Sequence, residues 1–260
     1  MNVTAKTNDD VVDGPVLVQF RPGLATITLN NPGKRNALTP LSADRLVEIC
    51  DAVDADSTIG AVIIQGAGGS FCSGADLSSL DEAMKDPAGD VSYNAFERIY
   101  RAFTRFGEMR TLTIAAIRGA AVGAGVNMAM AADVRIVSRD ARIISGFIKL
   151  GLHPGGGHLQ LIASGSSREA AAAMSILGEE ISGARAAELG LAWEALDDAD
   201  VEGRAAELAT TPAADPDLAR KVIESLRITT PRTLLWATAL QAERAPQLWS
   251  LRRAAMRHGQ

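Results

Sequence analysis

The sequence predicts an α/β fold of parallel strands joined by helices, and three observations carry that prediction. Strand-like and helix-like segments alternate through the first two thirds of the chain. One strand, "GAVIIQG" (60–66), is apolar almost throughout, the mark of a strand covered on both faces. Two glycine-rich loops each follow such a strand, and the second, in "GAAVGAGVNMAMAAD" (119–133), opens directly into a helix-forming run. Strand–helix–strand alternation of this kind implies right-handed crossovers in a layered sheet.

In order, "MNVTAKTNDDVVDG" (1–14) reads as a flexible tail. "PVLVQF" (15–20) and "ATITLN" (25–30) alternate as strands joined by the turn "RPG". "NNPGKRNALTP" (30–40) is a loop that ends at a helix start, with Thr39 as N-cap and Pro40 at the first helical position. A helix follows through "LSADRLVEICDAVDAD", then the strand at 60–66 and the loop "GAGGSFCSGADL" (66–77). Pro87, Gly89 and a mixture of charges break any periodicity in "DEAMKDPAGDVS" (81–92), which reads as mobile. A helix over 93–109 leads to the strand "TLTIAAI" (111–117), the second glycine loop, a helix from 124 and the strand "VRIVS" (134–138). After "GFIKLGLHPGGGH" (146–158) the chain reads as helices over 158–164, 167–177, 182–190, 200–209, 215–226 and 231–249. The division this implies is a tail (1–14), a core (15–200) and a C-terminal helical cap or oligomerisation region (201–260).

A chain of 260 residues, 47% hydrophobic, has enough apolar surface for one large core. Its net charge of −5 argues against nucleic acid as the main partner, because phosphate binding rests on a basic surface. Two cysteines, Cys50 and Cys72, are too few for a disulfide framework. The first residues lack the pattern of a secretory leader, and no apolar run approaches the roughly 20 residues of a membrane span, so a cytoplasmic location is expected.

The two glycine loops carry the chemistry. Amides in the first turn of a helix lack intrahelical acceptors and sit at the positive end of the helix dipole. Gly123 and Gly125 would let a ligand reach the amide of Ala124 with no side chain in the way. Such a place holds an anion or an oxygen gaining negative charge. Phosphate binding is one rival reading, but "GAGVNM" matches only half of G-x-G-x-x-G and no G-K-[ST] follows. Close packing of helix on strand through small residues is the other.

Five ordered segments resemble the crotonase (enoyl-CoA hydratase/isomerase) superfamily: "NNPGKRNAL", "SFCSGADL", "AAIRGAAVGAGVNMAMAAD", "LGLHPGGG" and "SGARAAELGLAWEAL". The resemblance covers roughly residues 15–200. It implies the ClpP/crotonase-like fold, a spiral of ββα units with a helical C-terminal region, assembled as a homotrimer or hexamer. It also implies an acyl-CoA ligand, with coenzyme A present as part of the substrate and no permanently bound cofactor or metal. Carried over by motif, the amides of Ala75 and Ala124 form an oxyanion hole for the thioester carbonyl. The backbone of Ala75, Asp76, Leu77 and Ser78 would lie along the nucleotide and pantetheine, and Lys34 or Arg35 near the CoA phosphates.

The departures from the family pattern fall on the reacting groups. Asn127 stands where hydratases carry a glutamate one turn into the helix, and Phe147 stands where the second glutamate precedes "LG". An amide orients a water but does not exchange its proton near pH 7, and phenyl does neither. Gly155 occupies a place where some relatives carry an aspartate. Among substitutes, His153 and His158 titrate in the useful range, against the alternative that each caps or fills the turn before a helix. Lys149 reads as pointing to solvent or toward CoA phosphate, and Asp76 as part of a motif whose backbone matters more than its side chain; the two histidines of "HPGGGH" make a weak metal-ligand set. Asn127 has two open readings, an active-site group or an amide satisfied by neighbouring backbone. Cys72 reads as a small packed residue. Met84, Tyr93, Phe96 and Tyr100 are candidates for an acyl pocket, and Arg252, Arg253 and Arg257 for a basic contact or a solvated helix end.

Three functions stay open on the sequence. One is an acyl-CoA lyase or isomerase of fatty-acid metabolism with non-standard acid/base residues. The second is an acyl-CoA carrier that retains the hole and has lost the chemistry. The third is a structural subunit of a mixed oligomer.

Overall fold

The alternating segments at the N-terminus form a hairpin, β1 (Val16–Arg21) antiparallel to β2 (Leu24–Leu29). A computed structural model describes residues 14–76, 85–87, 89–230 and 233–258. From β2 the sheet continues in parallel through β3 (Ala61–Gly66), β4 (Leu112–Ile117), β6 (Val134–Ser138) and β9 (Glu194–Leu196), in the order β1-β2-β3-β4-β6-β9. A second sheet of three short strands joins β5 (Ala120–Val122) in parallel to β7 (Arg142–Ile144), and β7 in antiparallel to β8 (Glu180–Ser182).

The two sheets grow together as the chain spirals. Each turn lays one strand in the large sheet, a short one beside the small sheet, and then a helix. The first turn is β2, the bridging residue Leu38 and α1 (Pro40–Ala55); the second is β3, the bridging residue Cys72 and α2 (Asp90–Gly107). The third is β4, β5 and α3 (Ala124–Ala131); the fourth is β6, β7 and α4 (His158–Gly165). Parallel bridges Leu38–Ala75 and Cys72–Ala121 stack these turns on one another. The expected spiral of ββα units is present.

Local sequence explains the boundaries. Thr39 caps α1 by accepting from the Ser42 amide (3.2 Å), the Ser42 hydroxyl accepts from the Thr39 amide (2.9 Å), and Pro40 opens the helix. Buried Phe96, Ile99, Tyr100, Phe103 and Phe106 recur at helical spacing along α2, which packs on α1. In α3 every residue is buried, so it is a core helix whose lone polar side chain needs internal partners.

The all-apolar strand is sandwiched as its composition requires. Val62 and Ile64 of β3 face the main core, while Ala61 and Ile63 face the opposite side with Ile114, Ala116 and Ile136. That second face is covered by α7 (Val201–Ala214) through Val201, Ala205 and Ala209, one helical stripe of small residues. Between them lie α5 (Arg168–Ala172), a π turn (Ala173–Leu177) and α6 (Gly183–Glu188); α8 (Pro216–Thr229) and α9 (Thr233–His258) complete the chain.

The sequence reading missed four three-residue strands, β5, β7, β8 and β9, because three residues cannot display a period of two. Two of them, β8 and β9, interrupt the region read as helical, and β9 supplies an edge of the large sheet. The helix expected over 200–209 continues to Ala214, with Pro212 accommodated in its last turn. The tail at 1–13 and, within the segment 81–92, residues 81–84 and 88 lie outside the described residues, while 90–92 already belong to α2.

Candidate active site

Three successive turns of the spiral end at one place. Cys72 leads to Ser73, Gly74 and Ala75; β5 leads to Gly123 and Ala124; β7 leads to Ser145, Gly146 and Phe147. All of these but Cys72 line a largely apolar pocket closed by Phe96, Ile99 and Tyr100 of α2 and by Gln247 and Leu251 of α9.

The two amide-bearing turns are in contact. A Cβ on Gly74 would lie 2.7 Å from the Val122 carbonyl oxygen and 3.5 Å from the Ala124 nitrogen. Gly123 is the N-cap of α3, with φ +53°, so the Ala124 amide is the first of the helix and has no intrahelical acceptor. At the other turn, Leu38 donates to the Gly74 carbonyl (2.7 Å) and accepts from the Asp76 amide (2.9 Å). The Ala75 amide between them therefore projects from the opposite edge of the chain, on a residue that lines the pocket.

The glycines divide between the two readings of their loop. Gly123 lines the pocket and keeps it open beside Phe147 and Ser145. Gly125 does not serve ligand approach: a Cβ there would stand 2.2 Å from the Cys72 carbonyl, so its role is the close passage of α3 over that strand. The packing reading holds for Gly125.

Asn127 is buried within a chain of hydrogen bonds. Its Nδ2 donates to the Gly155 carbonyl (2.9 Å), its Oδ1 lies 2.6 Å from His158 Nδ1, and His158 Nε2 lies 2.8 Å from the Ser145 hydroxyl. The network assigns every proton. A backbone carbonyl only accepts, so the Asn127 NH2 faces Gly155 and Oδ1 faces the imidazole. Oδ1 also only accepts, so Nδ1 carries the imidazole proton. Nε2 is left with its lone pair toward Ser145, whose hydroxyl donates to it. Complete burial pulls the His158 pKa from 6.5 down to about 3, so the ring is neutral as this network requires. Phe147 packs edge-on against the imidazole with ring centroids 5.0 Å apart.

Asn127 is satisfied by the Gly155 carbonyl and His158, and it lines the pocket. The expected role for His153 is not supported by its position. Its Nδ1 lies 2.6 Å from the carbonyl of Pro154, its amide donates to the Ser250 hydroxyl (2.8 Å), and it is absent from the pocket wall. Since His158 faces Asn127 and Ser145 instead, the two histidines of "HPGGGH" do not converge. At Gly155, a Cβ would meet Gln247 Nε2 at 2.1 Å and the Tyr100 hydroxyl oxygen at 2.5 Å, so the wall has closed over the space an aspartate would need.

Lys34 pairs with buried Asp76 (2.8 Å), anchoring the loop that carries Ala75, while Arg35 is exposed beside it. Leu77, Ser78 and Met84 lie outside the described residues. Phe96 and Tyr100 line the pocket as expected; Tyr93 instead lies under the Arg244 guanidinium, 4.5 Å from the ring centroid. Lys149 pairs with Glu180 (3.0 Å), and Arg253 stacks on Trp249. Cys72 is fully buried, its thiol pushed up to about 12 by desolvation, and acts as packing. Sequence reasoning missed Ser145; its only signal was its place two residues before the substituted position Phe147.

Comparison with known proteins places the chain in a family. The enoyl-CoA hydratase/isomerase family model matches residues 19–249. "Probable enoyl-CoA hydratase EchA14" of Mycobacterium tuberculosis is 40% identical over 202 residues, 78% of this chain and 77% of the relative. The 1,2-epoxyphenylacetyl-CoA isomerase of Escherichia coli is 31% identical over 245 residues, covering 94% and 93% of the two chains. Among solved structures, an enoyl-CoA hydratase from Mycobacterium avium subsp. paratuberculosis superposes with a TM-score of 0.80 at 26% identity, covering 94% of this chain and 99% of that one. The chain therefore belongs to the enoyl-CoA hydratase/isomerase family and has the crotonase fold.

Proposed function

We propose that this protein binds an acyl-CoA thioester with its carbonyl oxygen between the amides of Ala75 and Ala124, and acts on it as an enzyme of fatty-acid metabolism. One observation carries the reading: the two turns bearing these amides abut at the wall of one apolar pocket, a Cβ on Gly74 falling 3.5 Å from the Ala124 nitrogen. One such donor is worth about 2.7–4 kcal/mol when a carbonyl gains charge. Ordinary hydration of a 2-enoyl thioester is weak in this reading, because neither Asn127 nor Phe147 exchanges a proton. Lys34 and Arg35, at the rim near the Asp76 loop, meet the CoA phosphates.

A carrier that binds and does no chemistry is the second reading, favoured by the replacement of both family carboxylates. The third, a purely structural subunit, has no use for a pocket lined by two such turns. Assembly as a homotrimer or hexamer belongs to this reading, and light scattering measures it directly.

The test incubates protein with saturated and 2-enoyl-CoA thioesters of several lengths in heavy water and reads the products by mass spectrometry. Gain of water reports hydration; deuterium at the α-carbon reports an enolate even without turnover. Ala75→Pro deletes one amide donor, and its unfolding midpoint shows separately that the fold survives. A folded Ala75→Pro protein with unchanged thioester affinity overturns the assignment of that loop.

A further inference from the structure

We propose that Ser145, His158 and Asn127 form a nucleophilic relay facing the thioester pocket, giving the protein a thioester hydrolase activity that proceeds through an acyl-Ser145 ester. This rests on the proposed seat of the thioester carbonyl and adds to it a group that attacks the carbon.

The geometry supplies each part that such chemistry needs. Ser145 lines the pocket, and His158 Nε2, 2.8 Å from its hydroxyl, is the acceptor for its proton. Behind the ring, Asn127 Oδ1 holds the Nδ1 proton at 2.6 Å. An amide in that position fails when its NH2 turns to the imidazole and imposes the wrong tautomer. Here the Gly155 carbonyl holds the NH2 at 2.9 Å, so the productive tautomer is the only one the network accepts. Phe147 packs against the ring with centroids 5.0 Å apart, which fixes the plane of the imidazole.

Placement relative to the two amides follows from the small sheet. Ile144, the last residue of β7, accepts the Gly123 amide through its carbonyl (2.9 Å). Ser145 and Ala124 are thus the next residues on either side of one hydrogen bond, and both line the pocket with Ala75. The proposal requires a carbonyl oxygen held by the Ala75 and Ala124 amides to bring its carbon within reach of Ser145 Oγ.

The steps balance without any further reagent than water. Ser145 Oγ bonds to the thioester carbon as its proton passes to His158 Nε2, and the carbonyl oxygen takes the negative charge against the two amides. Collapse breaks the C–S bond, and the CoA sulfur leaves with the proton from Nε2. A water then gives its proton to Nε2 and its oxygen to the ester carbon. The second collapse returns the proton to Ser145 and frees the carboxylic acid.

The experiment uses saturated straight-chain acyl-CoA thioesters, which have no double bond to hydrate. Three quantities are read on the full-length protein: equilibrium affinity for the thioester, release of CoA thiol, and the mass of the protein after rapid quenching. Expected are CoA release above the uncatalysed rate and an added acyl mass on the peptide containing Ser145. Ser145→Ala is expected to bind the thioester and to lose CoA release by about 10³-fold or more. Asn127 acts here as a positioning residue, so Asn127→Ala is expected to slow release with affinity retained and Asn127→Asp to restore it. Bound thioester with neither CoA release nor adduct overturns the hydrolase while leaving the binding reading intact. An adduct on another residue overturns the assignment of Ser145. No measurable binding overturns both.

Discussion

Glu243 lays both carboxylate oxygens on the start of the helix that begins at His158, Oε2 2.9 Å from the His158 amide and Oε1 3.1 Å from that of Leu159. This is a cap supplied from 85 residues away rather than by the local N-cap, which is Gly157 and has no side chain to offer. It pins α9 to α4 and fixes the backbone that carries the imidazole. Removing a partner from a buried charged hydrogen bond costs about 1–3 kcal/mol. Glu243→Ala is therefore expected to lower the unfolding free energy by that amount, read as a fall in urea midpoint at constant m, with Glu243→Gln losing less because one oxygen remains.

Acid should weaken the fold through His158. Its folded pKa, about 3, lies below the ordinary 6.5, so between these values the unfolded chain binds the extra proton. Stability from this group is complete above about 6.5 and is lost as the pH falls toward 3, by up to roughly 5 kcal/mol at 1.36 kcal/mol per unit. Glu243 acts in the opposite direction over its own range, because burial holds its pKa above the usual carboxylate value. Urea midpoints measured from pH 7 to pH 4 are expected to fall, and His158→Gln should flatten the slope. An unchanged slope in that variant would mean that His158 is not the responsible group.

Gly125→Ala puts a methyl group 2.2 Å from the Cys72 carbonyl, backbone against a buried helix, so one of the two must move. Overpacking of this kind costs about 1–3 kcal/mol. Calorimetry should show a lowered Tm, and thioester affinity should fall with it because both amide-bearing turns share that contact.

Gly155→Asp restores the residue type some relatives carry at this place, yet no isomerase activity is expected from it. The new side chain meets Gln247 and the Tyr100 hydroxyl, which are already hydrogen-bonded to each other, so that pair must part to admit it. The check is an isomerase assay on 3-enoyl thioesters beside an unfolding curve; gain of activity with unchanged stability would refute it.

Asn127→Glu restores one of the two absent carboxylates. Little gain in hydration is expected, since Phe147 still occupies the second position and the carboxylate would face the Gly155 carbonyl in place of a donor. A large rise in kcat/KM would show that one carboxylate is sufficient.

The legible parts of this fold are those whose signal fits inside a window of residues. The strand at 60–66 announces double burial by composition, and Thr39-Pro40 announces a helix start through its own hydroxyl and ring. Glycine turns and motif order mark Ala75 and Ala124 in the sequence, and both line the pocket. Ser145 and His158 were not paired in advance: they are 13 residues apart on a strand end and a helix start, and only the winding of the spiral makes them neighbours. The choice between His153 and His158 was equally hidden. Gly156 and Gly157 take φ of +78° and +75°, and that reversal turns His158 inward while leaving His153 against Pro154.

The last helix contributes Gln247 and Leu251 to the pocket wall, far along the chain from the turns that present Ala75 and Ala124. In the proposed reading, grip on the carbonyl and fit to the acyl chain are written in separate stretches of sequence. Substitutions along α9 would then retune chain-length preference while the carbonyl seat stays as it is, leaving descendants of this protein free to change diet without rebuilding their chemistry.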